Sequence, residues 1–91
     1  MILERDIEEY FRKKFNQIGK VFKWTSPGVK GVPDRIVFLP GGKVIFVELK
    51  RPKSKPRATQ LIVHRLLAKL GTKVWIVDSK DAVDKLYELW R

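Results

Sequence analysis

Two apolar runs, "DRIVFL" at 34–39 and "KVIFVELK" at 43–50, flank Pro40-Gly41-Gly42. Strand-forming residues on both sides of so short a turn predict an antiparallel hairpin, and loop length then decides which side chains share a face. Alternation puts Glu48 and Lys50 on one side. A three-residue loop pairs Leu39 with Lys43 and therefore Asp34 with Glu48. A two-residue Gly41-Gly42 loop would set Asp34 beside Leu49, on the opposite face. The three-residue loop suits a type I turn, with Pro40 at its second position and Gly42 in the left-handed conformation that follows.

The rest of the chain supplies partners for that hairpin. Leu3, Ile7, Tyr10, Phe11, Phe15 and Ile18 have the three-and-four spacing of one helix face, and Gly19 ends that helix. "KVFKW" (20–24) reads as a strand and "TSPGVKGVP" as an irregular loop. A helix is expected near 57–70 and closed by Gly71, then a strand in "KVWIVD" and a last helix in "KDAVDKLYELW". The order αβββαβα predicts one α/β domain over residues 1–91, a mixed sheet with helices on its faces.

Charge narrows the partner. Twenty Lys plus Arg against ten acids leave a formal net charge of +10, which favours a polyanion through counterion release. Nucleic acid is the first expectation and an anionic membrane surface the second. The absence of cysteine excludes disulfides and thiolate metal sites. No apolar run is long enough to span a membrane, and "MILERDIEEYF" has acids where a secretion signal has cations, so a cytoplasmic protein is expected.

Two carboxylates side by side repel unless a cation lies between them. Oxygen ligands favour Mg²⁺ or Mn²⁺, which keep waters in their remaining positions. Such an ion and a nearby lysine are the parts needed for phosphodiester hydrolysis. Taken singly, an Asp after proline is commonly a turn residue and a Glu-x-Lys a solvated pair. Their combination on one hairpin of a basic chain is more specific.

"GVPDRIVF", with thirteen residues between Asp34 and the "ELK" of Glu48-Leu49-Lys50, resembles the PD-(D/E)XK nuclease signature. More closely, residues 30–79 resemble the VRR-NUC family, the virus-type replication and repair nucleases, particularly its short standalone phage and bacterial members. The resemblance implies a restriction-endonuclease-like αβββαβ core with a C-terminal helix, Mg²⁺- or Mn²⁺-dependent DNA cleavage, and dimers among the standalone forms. It makes Asp34 and Glu48 metal ligands together with the Leu49 main-chain carbonyl, Lys50 the catalytic lysine, and Gln60 the helix glutamine near the site. It also suggests an acid from the first helix. Glu4, which falls inside the apolar stripe between Phe11 and Phe15, is the first choice and Glu8 the reserve; the alternative is that Glu4 only complements the helix N-terminus.

Among the remaining polar residues, His64 shares a side with Gln60 and is expected to hydrogen-bond at the helix surface. Lys14 is expected to cover apolar surface with its stem. "KRPKSKPR" (50–57) holds five cations in eight residues, so Arg51, Lys53, Lys55 and Arg57 are expected along the DNA backbone, with Lys30 and Arg35 beside Asp34. Trp24, Trp75 and Trp90 are assigned to core or dimer burial rather than base stacking. The expected function is a divalent-metal-dependent DNA endonuclease leaving a 3′ alcohol and a 5′ phosphate, and a symmetric dimer would suit a two-fold substrate such as a four-way junction. The competing class is a non-catalytic DNA-binding module, which would bind DNA indifferently to metal and to Asp34→Ala.

Overall fold

The structure is a computed structural model that describes all residues from Met1 to Arg91. Its elements are α1 (Glu4–Phe15), β1 (Lys20–Lys23), β2 (Arg35–Leu39), β3 (Lys43–Leu49), α2 (Ala58–Lys69), β4 (Val74–Val77) and α3 (Lys80–Trp90). The strands form one mixed sheet in the order β1-β2-β3-β4, antiparallel except for the β3–β4 pair. Parallel pairing requires a crossover, and α2 provides it. No helix is long and apolar enough to cross a membrane.

Leu39 pairs with Lys43 and Arg35 with Val47, so the even register holds and its continuation sets Asp34 opposite Glu48. The turn differs from expectation. Gly41 (φ 81°, ψ 14°) and Gly42 (φ 76°) both have positive φ, whereas a type I turn needs only the last residue there. Two glycines tolerate this conformation equally, so the loop length was readable and the turn type was not.

One sheet face is covered by α1 and α3. Ile7, Phe11 and Phe15 of α1 are fully buried with Val37 and Val47 of the sheet and Val83 of α3. Fully burying one such side chain contributes about 1.5–3 kcal/mol, so this cluster dominates the fold's stability. At the α1–α3 seam, Asp84 accepts bonds from Tyr10 Oη (2.6 Å) and Lys14 Nζ (2.8 Å). Lys14 therefore ties two helices together rather than only covering apolar surface. The helix α1 stops at Phe15, before Gly19; a Cβ on Gly19 would lie 2.2 Å from the Phe38 carbonyl oxygen, so the glycine serves close packing against β2.

The other face carries Phe22, Phe38, Val44, Phe46 and Glu48, by alternation from the same register. Only α2 packs there, and in reverse of the usual amphipathic pattern. Its buried residues are Gln60 and His64, while Ile62, Leu66 and Leu70 are 65, 55 and 72% exposed.

Candidate active site

Asp34 lies at the end of the β1–β2 ladder. Its carbonyl accepts from Trp24 N–H (2.9 Å), and its Oδ2 accepts from Leu49 N–H (2.9 Å). The carboxylate thus takes a bond from β3 just before β2 begins, which fixes it against Glu48 and Leu49. Glu48 is 1% exposed. Its Oε2 receives Gln60 Nε2 at 2.7 Å and Lys50 Nζ at 3.2 Å. Gln60 is itself oriented, because its Oε1 accepts Arg57 N–H (2.8 Å) at the start of α2 and leaves the amide nitrogen to face Glu48. Gly31 permits this approach of helix to hairpin: at φ 94° a Cβ would lie 2.4 Å from the Thr59 carbonyl oxygen.

Burial, then the nearby Asp34 charge, raises the Glu48 carboxyl to a pKa of about 7, against the opposing effect of Lys50. Glu48 Oε1 has no hydrogen-bond partner. A buried, partnerless carboxylate oxygen beside a second carboxylate is an arrangement that a cation relieves. No three Asp, Glu or His side chains converge into a metal cage. Two carboxylates and a main-chain carbonyl, with water completing the shell, is the donor set that suits Mg²⁺ or Mn²⁺.

His64 is a correction. Rather than bonding at the helix surface, it is buried, with Nε2 unpartnered 3.8 Å from Glu48 Oε1. Burial and the Lys50 charge lower its pKa, so the imidazole is held neutral. Nothing in the spacing distinguishes an inward histidine from an outward one on a helix whose outer face is apolar.

Asp34 borders two hollows. One, of about 260 Å³, is lined by Glu4, Arg5, Glu8, Lys23, Asp34, Arg35 and Leu49. Glu4 is exposed here rather than set in the apolar stripe, because the packed part of α1 begins at Ile7. It has no basic partner, whereas Glu8 is paired with Arg35 (2.9 Å). Arg35 also donates to the Asp34 carbonyl (3.0 Å), so this guanidinium is engaged inside the protein. The second hollow, of about 390 Å³, lies between the 24–34 loop and the start of α2 and includes Lys30 and Arg57. Lys30, Arg51, Lys53, Lys55 and Arg57 are exposed, and none forms a salt bridge. Trp75 packs edge-on against Trp90, and Trp24 packs at a tilt of 44° against Phe46. The part of Trp24 bordering the second hollow was not read from the sequence, nor were Thr25, Ser26 and Thr59 in its wall.

No protein-family model matches the chain. It is 46% identical over 82 residues to "Putative nuclease p44" of Acyrthosiphon pisum secondary endosymbiont phage 1, spanning 89% of this chain and 88% of that protein. A solved structure described as "VRR_NUC domain" superimposes with a TM-score of 0.89 at 37% identity, covering 97% of each chain.

Proposed function

Because the chain belongs to the VRR-NUC nuclease family, we propose that it is a divalent-metal-dependent DNA endonuclease whose cation is held by Asp34, Glu48 and the Leu49 carbonyl, with Glu4 lining the same cleft. The observation that carries the reading is the buried Glu48 carboxylate, raised in pKa and lacking a partner at Oε1, beside Asp34 and Lys50. When bound, Mg²⁺ or Mn²⁺ neutralises phosphate charge and makes water a better nucleophile near pH 7. The protein's own groups do the rest. Lys50, held on Glu48, presents its ammonium to the phosphate and stabilises the negative charge that grows on its oxygens. Gln60 keeps Glu48 Oε2 occupied, which leaves Oε1 for the cation. The exposed cations at 51–57 and Lys30 track the DNA backbone.

A homodimer belongs to the same reading. Ile62, Leu66 and Leu70 on α2, together with Phe22, Phe38 and Val44 on the same side of the sheet, leave apolar surface of the kind a monomer rarely exposes. A second copy covering it would set two sites under one two-fold axis, which suits branched DNA such as a four-way junction.

The test is calorimetric titration of Mn²⁺ into wild type and Asp34→Asn, beside cleavage of junction, flap and linear duplex. Saturable binding lost in the variant supports the site. Equal binding by both proteins removes it, and equal cutting of duplex and junction removes the junction preference.

A further inference from the structure

The two hollows beside Asp34 differ in chemistry. The Glu4 side has three acids, Glu4, Glu8 and Asp34, among three bases, with Glu8 already paired to Arg35. The other has Asp34 as its one acid and is walled by Trp24, Ser26, Lys30, Arg57 and Thr59. Lys30 and Arg57 have no carboxylate partner, and the hydroxyls add donors. An aromatic wall with two free cations and hydroxyl groups has the recognition chemistry of a nucleotide: a ring for the base, charges for its phosphate. The volume, about 390 Å³, is in the range of small-ligand sites and too small for a base-paired segment.

The Trp24 ring is held ready. It packs on Phe46 with centroids 5.3 Å apart, and the Trp24 main-chain N–H bonds the Asp34 carbonyl at 2.9 Å, so the backbone that carries the ring is tied to a proposed metal ligand. Gly31, which lies close against Thr59 at the start of α2, completes the lining. We propose that this hollow binds one unpaired nucleotide next to the phosphate being cut, with its base against Trp24 and its phosphate between Lys30 and Arg57. A base inside a duplex is covered on both faces by its neighbours, so only one released from the stack can enter. The pocket therefore favours cutting beside a bulge, gap or branch point. This inference rests on the nuclease reading for its reaction but not for its binding.

Binding is measured by fluorescence anisotropy in EDTA, with a labelled DNA hairpin carrying a one-nucleotide bulge and the same hairpin without it. Wild type is expected to prefer the bulged hairpin by about tenfold, the scale of one base–aromatic stack. The preference should fall to about one in Trp24→Leu. Thr59→Leu, which fills the hollow from an exposed position, should do the same and guards against a folding defect at Trp24. Equal affinity of wild type for the two hairpins overturns the proposal, as does a preference that survives both substitutions. A preference that is present and lost as described supports the pocket even if added Mg²⁺ or Mn²⁺ yields no cleavage. That last outcome would instead overturn the nuclease reading.

Discussion

Gln60 Nε2 donates to Glu48 Oε2 across 2.7 Å, joining α2 to the end of β3 through two buried side chains. The bond stabilises the ionised carboxylate and orients it. Gln60→Leu keeps the bulk, removes the donor and leaves the Arg57 N–H without its acceptor. Metal affinity and cleavage should each fall by about 10–100-fold, the usual cost of losing a partner of a ligating group. Calorimetry with Mn²⁺ checks the affinity, and unchanged binding would detach Gln60 from the site.

Glu48 gives the metal-free fold a distinctive pH dependence. Its folded pKa, about 7, lies above the ordinary 4.5, so between those values the unfolded chain ionises while the folded one keeps its proton. Stability contributed by this group is full below pH 4.5 and is lost as pH rises toward 7. His64 acts with the opposite sign, since its lowered pKa makes the fold resist protonation and lose stability below pH 6.5. Comparison with Glu48→Gln isolates the first effect. In urea melts without metal the variant should be more stable than wild type at pH 8, by up to about 3 kcal/mol, with the gap closing near pH 4. Mn²⁺ should stabilise only the wild type. A gap independent of pH would contradict the account.

Gly31→Ala meets two obstacles, a positive φ and a Cβ 2.4 Å from the Thr59 carbonyl oxygen. The start of α2 must move, taking Gln60 with it. A loss of about 1–3 kcal/mol in thermal or urea unfolding is expected, with a fall in metal affinity. Gly28→Ala, at an open position with normal φ, is the control and should change neither.

The apolar surface predicts self-association. Sedimentation velocity should give a dimer for wild type and a monomer for Leu66→Lys or Phe38→Lys, whichever face forms the contact, with each variant still folded. A wild-type monomer at micromolar concentration would remove the two-fold model of junction cleavage.

The hairpin was legible because two independent signals agree, the alternation of apolar residues and a loop of odd length. They set Asp34 and Glu48 opposite each other without tertiary information. The helices were equally readable where one face is apolar, as in α1 and α3. The helix α2 was readable as a helix but not in orientation, since Leu61, Ile62, Leu66 and Leu70 point out and Gln60 and His64 point in. A hydrophobic pattern would turn it the other way. Resemblance supplied Gln60, while the inward turn of His64 is fixed only by how α2 packs on the sheet. The second hollow was hidden for a different reason, being assembled from the 24–34 loop and residues 57–60, which no periodicity connects.

Asp34, Glu48 and Lys50 are proposed to form a metal-dependent cutting site. Its most direct test is cleavage of labelled four-way junction, flap and linear duplex DNA by wild type and Lys50→Ala, with Mg²⁺, Mn²⁺ or EDTA. Wild type should cut with either metal and not in EDTA, and the variant should lose at least about 100-fold in cleavage while still binding DNA. Binding without cleavage by wild type under every condition, or cleavage that Lys50→Ala leaves intact, would contradict it.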